Sequence, residues 1–312
     1  MNIILRPASA ARLGLACAAL VAAALLAPAA RAEDYAKTFQ ISGRANVRVD
    51  TNDGSVRVTS SDSKQVEFHV EYQGYEMGRN LRIDARQDGD KVELTARITG
   101  HWGINFNWGH NSRRLHIEVR MPRAADLNVE TGDGSVQVES IEGAVNVHTG
   151  DGSVRASSLS GTIDLHTNDG SIRAESLKGD MRLRSGDGSI EAEQLDGKVD
   201  ADSGDGHIRL EGRFEALNIK TGDGSVTARA LAGSKMSASW SVRTGDGSVD
   251  LTLPSDFQAD IDATTGDGHI SLGIPVTVEG TFSKSALHGK MNGGGQALSI
   301  HTGDGSIRLS KS

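Results

Sequence analysis

The 312-residue sequence has one cysteine, five prolines and an aromatic content of only 4%. It has no surplus of positive charge either: 33 Lys+Arg stand against 41 Asp+Glu, a formal net charge of −8. Each shortage excludes something. A chain without a basic surplus is not an electrostatic nucleic-acid binder, which needs cations to displace counterions from phosphate. A single cysteine cannot close an intrachain disulfide, so packing and backbone hydrogen bonds must hold the fold. So few aromatics make a thin core for an ordinary mixed α/β enzyme. Scarce proline without low-complexity tracts also sets aside disorder and collagen, despite 38 glycines.

Long apolar runs are missing except at the start. Arg6 and Arg12 flank the beginning of an apolar run over residues 13–30, and Ala30-Arg31-Ala32 fits the small-x-small cleavage rule. Residues 1–32 therefore read as a secretory signal peptide cut before Glu33. The alternative is an uncleaved anchor, against which Pro28 and the Ala-x-Ala end both speak. Cys17 does not fit lipoprotein processing, because Gly14 stands three residues before it and the apolar run continues past it. The expected mature chain is exported to the periplasm, cell envelope or exterior. It carries no cysteine and no membrane-spanning segment.

What is abundant is a repeat. Blocks resembling Thr-Gly-Asp-Gly-Ser-Val recur ten times, around Asp53, Asp133, Asp151, Asp169, Asp187, Asp205, Asp223, Asp246, Asp267 and Asp304. From Asp133 to Asp223 they are 18 residues apart, after which the spacing loosens to 23, 21 and 37. Within one unit Val154 and Ala156 alternate with polar residues, as do Ile163 and Leu165, while Leu159 stands between the pairs. Alternation with period two is strand periodicity. One unit buries about five small side chains and cannot stand alone, so neighbours must stack into a continuous core. This predicts an all-β, parallel β-solenoid (β-helix-like) with ~18-residue coils advancing ~4.8 Å each. The rival is an antiparallel meander, because Asp-Gly is also a hairpin signal. The expected organisation is an irregular N-terminal strand and capping region over residues 33–120, then solenoid repeats over 121–312 with looser C-terminal coils.

In the corner block the second residue is Gly except at Asn52 and Asn168, and the fourth is always Gly. Both positions are expected to need positive φ. The Asp between them is expected to accept a nearby backbone N–H in an Asx-type turn. Stacking would align Asp133, Asp151, Asp169, Asp187, Asp205 and Asp223 in a ladder, an alternative Ca²⁺ site since that cation wants clustered oxygens. Against it, the nonapeptide spacing of calcium-binding solenoids is absent. Arg57, Arg155, Arg173, Arg209 and Arg308, each four residues after an Asp, are expected to supply countercharge. No cofactor is required by the sequence.

Catalytic signatures are absent: there is no Gly-x-Ser-x-Gly, His-Glu-x-x-His or P-loop. Gly-Asp-Gly-Ser leads into a strand rather than a helix, so it makes no phosphate site. One segment breaks the repeat: HWGINFNWGHNSRRLH, residues 101–116. The strand-like runs VELTARI and LHIEVRM flank it, which predicts a long hairpin with an aromatic tip. His101, Trp102, Phe106, Trp108, His110 and Arg113 are candidate contacts for a glycan, lipid head group or protein. The alternative is that they cover the open first coil. His101, His110 and His116 lack a carboxylate spacing that would support metal ligation.

The runs HIEVRMPRAADLNVETGDGSVQVESIEGAVNVHTGDGSV, LTLPSDFQADIDATTGDGHI and GKMNGGGQALSIHTGDGSIRL resemble the bacterial putative-adhesin family of β-strand-repeat domains of unknown function. That family is related to the head domains of autotransporter adhesins. The resemblance implies a right-handed winding and an envelope or secreted location, and it carries no catalytic residues. The expectation is a non-enzymatic, exported scaffold or adhesin-like binding module whose partner is an envelope, glycan or protein component. The alternative from another class is a polysaccharide-acting enzyme on a pectate-lyase-like solenoid, which would need a non-repetitive carboxylate cluster.

Overall fold

The computed structural model describes residues 33–99, 113–278 and 283–312. Residues 1–32 and the candidates His101, Trp102, Phe106, Trp108 and His110 lie outside the described residues. Residues Ala32–Ser312 form one compact unit. Among the described residues there are strands and turns and no helix. None of the described residues forms a helix long and apolar enough to cross a membrane.

Each regular coil has a short and a long strand. Val154–Ser157 is followed by Ser160–Thr167, and Ile172–Glu175 by Lys178–Ser185. The pairing is parallel and in register with the repeat: Val154 faces Ile172, and Ser160 to Thr167 face Lys178 to Ser185. The meander is thereby excluded. Val154, Ala156, Leu159, Ile163 and Leu165 all point inward and are buried. Each side chain completes its burial against the coils above and below, which is where the ~1.5–3 kcal/mol available to a buried Val, Leu or Ile is gained.

The sharp corner between short and long strands carries the strain. Ser140, Ser158, Ser176 and Gln194 all sit there at φ 55–61°, in the left-handed region that costs an L-residue ~1–2 kcal/mol. Gly161, Gly179 and Gly197 follow at φ 119–135°. The Asp corners differ from the sequence expectation: of their glycines, only Gly54 lies in the left-handed region. Ser158 is exposed, so Ser158→Gly relieves a strained conformation and removes nothing buried. Chemical denaturation should show the variant ~0.5–1 kcal/mol more stable than the parent, glycine's greater freedom when unfolded having taken part of the gain.

The coils are not stacked in sequence order. The strand Ala45–Thr51 lies between Lys91–Ile98 and Ala125–Thr131, parallel to both. Its partner Ser55–Ser61 likewise lies between Arg114–Pro122 and Val136–Glu139. At the other end, Ala297–Thr302 is inserted between Trp240–Thr244 and Ala259–Thr265. Ile307–Lys311 is inserted between Val249–Leu253 and Ile270–Leu272. The first and last coils of the sequence are therefore interior coils of the stack.

Antiparallel strands close both ends. Leu81–Asp88 covers Lys91–Ile98 through a tight Asp-Gly-Asp hairpin, with Gly89 at φ 59°. Gln65–Gln73 covers Arg114–Pro122 and is itself covered by Glu33–Gln40. Lys37 donates to the Ala85 carbonyl and Gln87 to that of Gln40, tying the two edges together. Ala286–Met291 and Thr277–Val278 do the same at the far end. Buried aromatics gather toward these ends, Phe39 against Phe68 and Trp240 against Phe214 and Phe257. Irregular coils leave larger gaps than Val, Ala and Leu can fill.

Candidate functional site

The corner row runs the length of the parallel stack. Register pairs Thr51, Thr131, Thr149, Thr167, Ser185, Ser203, Thr221, Thr244, Thr302 and Thr265 in one continuous column. All ten are buried, and with Ser234 they make up the buried polar side chains among the described residues. Their direction follows from strand alternation: Ile163 and Leu165 point inward, so Thr167 must as well.

A buried hydroxyl needs partners, and the corner supplies them. Thr149, Thr167, Ser185, Ser203, Thr221, Thr244, Thr302 and Thr265 each donate to the carbonyl of the second corner glycine one coil away, at 2.7–3.0 Å. Most also accept an N–H from the glycine three residues on, as Thr167 does from Gly170 at 3.1 Å. The other two of the ten differ: Thr51 donates within its own corner to the Asp53 carbonyl, and Thr131 has an unpartnered hydroxyl facing the differently turned Gly54 corner. The invariance of the fourth residue is a matter of clearance. A Cβ on Gly152 would stand 2.1 Å from the Gly134 carbonyl oxygen.

The Asp of each corner is left outside this network. All ten are exposed. Among the described residues only Asp53 accepts a corner N–H, that of Gly54 at 2.5 Å. The Asx-type turn expected at every corner is thus replaced by a Ser/Thr hydroxyl acting from within. The arginines four residues on do not serve the corner Asp either. Arg173 pairs with Glu191, Arg308 with Asp250, and Arg57 bonds Gln137, all on neighbouring coils. A strand residue pointing outward meets its register neighbour one coil away before it reaches a turn four residues back.

Asp133, Asp151, Asp169, Asp187, Asp205 and Asp223 thus form an exposed carboxylate row. Among the described residues no three or more His, Cys, Asp or Glu converge as a metal site, whereas Ca²⁺ takes six to eight oxygens. The melting temperature is expected to be the same in excess Ca²⁺ and in EDTA. A rise of several degrees with Ca²⁺, the mass-action signature of binding to the native state, is the contrary result.

The row is interrupted once, at its N-terminal end. In one coil Thr51 and Ser55 are joined by residues 52–54; in the coil beside it their register partners Ala96 and His116 are joined by residues 97–115. The runs on either side of the aromatic segment were expected to pair as a hairpin. They are instead the long and short strands of one coil, and they pair with Ala45–Thr51 and Ser55–Ser61. Strand-like flanks around a polar tip look alike in either case; only pairing distinguishes them.

Both roots of this excursion are held. Asn52 donates to the Ile98 carbonyl at 2.9 Å and accepts its N–H at 2.8 Å, so its amide acts as a backbone mimic. Arg97 pairs with Asp50 at 2.5 Å, and His116 Nδ1 lies 2.8 Å from Ser55 Oγ. Arg113, the one candidate contact within the described residues, is exposed with its guanidinium 5.9 Å above the Tyr75 ring. Burial pushes the Tyr75 hydroxyl pKa up and the negative charge of Asp53 adds to this, while Arg113 opposes it. Tyr75 was not singled out in the sequence, and Asn52 only as a residue suited to positive φ. Asn52 had a signal, being one of two departures from Gly in the corner.

On the outer faces of the regular coils, Arg155, Arg173, Glu175, Glu191 and Glu193 line an open pocket. Charged side chains on these faces pair across coils, as Arg182 does with Asp164 and Asp200. His148 and His166 stack with ring centroids 4.7 Å apart.

The sequence pattern of the Toastrack DUF4097 family matches residues 44–310. The chain belongs to this family. No curated protein matches it. Among solved structures, a putative adhesin from Parabacteroides merdae is similar at 10% identity and a TM-score of 0.50, with 89% of this chain and 96% of that one covered. A putative lipid binding protein from Parabacteroides distasonis is similar at 12% identity and a TM-score of 0.42, covering 88% and 96%. A putative cell adhesion protein from Clostridium sporogenes is similar at 13% identity and a TM-score of 0.25, covering 90% and 100%. At these identities the first similarity speaks for the fold alone, and the other two carry no argument. The Toastrack assignment agrees with the resemblance read from the sequence.

Proposed function

We propose that this Toastrack protein is an exported, non-enzymatic binding module of the adhesin-like kind. In this reading residues 1–32 are its secretory leader, and a right-handed stack is the rigid support. The observation that carries it is the excursion over residues 97–115. Elsewhere three or four residues join the two strands at this corner, whereas residues 97–115, rich in Trp, His and Arg, stand between Ala96 and His116. The roots of that segment are fixed by Asn52, Arg97 and His116. Held roots lower the ordering cost of contact, and aromatic and Arg side chains are the usual anchors of binding surfaces. The sequence carries none of the catalytic signatures Gly-x-Ser-x-Gly, His-Glu-x-x-His or P-loop.

The test is retention of the mature chain, residues 33–312, on isolated cell-envelope material and on immobilised glycans. A Trp102→Ala/Trp108→Ala variant and an Arg113→Ala variant are compared with a control changed on a regular face, Arg155→Ala. Loss of retention in the first two, with the control and the melting curve unchanged, is expected. Retention that survives the double Trp substitution overturns the contact role. Release of sugars from the same material would overturn the non-enzymatic reading.

A further inference from the structure

The coil formed by Ala297–Thr302 and Ile307–Lys311 fills a slot rather than extending the stack. It makes parallel ladders on both sides: Trp240 to Thr244 face Leu298 to Thr302, and Asp260 to Thr265 face Ala297 to Thr302. The buried hydroxyl column also passes through it. Thr302 donates to Gly247 and Thr265 to Gly305, both at 2.7 Å. Leu298, Ile300, Ile307 and Leu309 complete the core between coils that precede and follow the slot. With this coil withdrawn, two sets of strand edges and an apolar gap one coil wide would face each other. Unpaired edges of this kind accept another strand of matching register.

The linker that delivers the coil is short, and within it Asn292 alone takes a left-handed conformation that costs an L-residue, since Gly293 and Gly294 adopt theirs freely. The strands Ala286–Met291 and Ala297–Thr302 lie on opposite edges of Ala259–Thr265, so residues 292–296 must cross the end of that strand. Asn292, Gly293 and Gly294 do this at φ 49°, 91° and 87°, three left-handed residues in succession. Asn292 Nδ2 pins the crossing to the carbonyls of Ser255 and Phe257. Short hinges favour exchange of the element they carry, because a linker with little slack to fold back can extend instead while every contact is remade in another copy.

We infer that residues 297–311 are an exchangeable coil, and that the slot of one copy accepts the same coil from a second copy. The partner is thus another molecule of this chain, engaged through the contacts seen within one. The inference stands apart from the proposed contact role of residues 97–115, since self-exchange does not involve that end of the stack.

A cysteine pair reads the exchange directly. Thr252 Oγ1 and Ser310 Oγ lie 3.0 Å apart across the slot, and residues 33–312 have no cysteine. In a Thr252→Cys/Ser310→Cys variant the disulfide is intramolecular when the coil inserts in its own chain and intermolecular when it is exchanged. The mature variant is unfolded, refolded at rising concentration under oxidation, and run on a non-reducing gel. Light scattering of the unmodified chain refolded in the same way gives the mass independently. The expected result is covalent dimers whose ratio to monomer rises with concentration by mass action, about tenfold per tenfold while monomer predominates. Inserting a flexible Gly-Ser segment after Gly295 should suppress them. Monomer alone at every concentration in both assays overturns the inference, as does a dimer yield unaffected by lengthening the hinge.

Discussion

Replacing Gly188 by alanine is expected to lower stability by ~3 kcal/mol, at the upper end of what overpacking costs. The new Cβ would lie 2.1 Å from the Gly170 carbonyl oxygen and 2.5 Å from its carbon. Both are backbone atoms of the adjoining coil, so no side chain can swing aside. Separating the coils locally would stretch the bond from Ser185 to the same Gly170 carbonyl, 2.8 Å in the intact corner. Urea unfolding followed by circular dichroism measures the effect as a shifted midpoint. A loss below ~0.5 kcal/mol, the range of an ordinary surface substitution, would mean that the corners do not approach as closely as the structure has them.

The second large effect concerns the inserted coil. Ending the chain after Gln296 is expected to unfold the C-terminal coils over residues 240–291 and to give a species that aggregates. In a stack built in sequence order, losing the last coil removes one interface and the rest survives, because solenoid stability is close to a sum over neighbours. Here it removes two interfaces and leaves Ala259–Thr265 paired only with the antiparallel strand on its far side. Four buried aliphatic side chains, Leu298, Ile300, Ile307 and Leu309, each contribute ~1.5–3 kcal/mol, comparable together to the whole net stability of a typical domain. Hydrogen exchange distinguishes the cases. Protection lost over residues 240–291 is the expected outcome, and native-like protection there contradicts the stack order.

The regular part of the fold was legible because its determinants are local and repeated. Period, strand alternation and the inward set typified by Val154, Leu159 and Ile163 all stand in the sequence. The two end insertions were not legible. Thr302 pairs with both Thr244 and Thr265, and nothing in the three nearly identical corners says which neighbours which. The corner was read with the right residues in the wrong roles. Alternation through Ile163 and Leu165 already places Thr167 inside, whereas the Asp was expected to hold the turn. Serines at the opposite corner, such as Ser158, carry the positive φ that was assigned to glycines. Of the candidate contacts, the sequence located the segment that departs from the repeat. It could not show that the flanks belong to one coil, because VELTARI and LHIEVRM read as strands whatever their partners.

The central claim is that buried Thr and Ser hydroxyls and closely stacked glycines build the corner, leaving the Asp row free on the surface. The most direct measurement is the thermal unfolding of one variant in which Asp133, Asp151, Asp169, Asp187, Asp205 and Asp223 are all changed to alanine. In the folded stack, neighbouring carboxylates ~4.8 Å apart repel by at most about 0.9 kcal/mol in water. The account therefore predicts a cooperative transition at the parent temperature or somewhat above it. Loss of the transition, or a fall of the size expected when six turn-forming hydrogen bonds at ~1 kcal/mol each are removed, would show that the Asp side chains hold the corners after all.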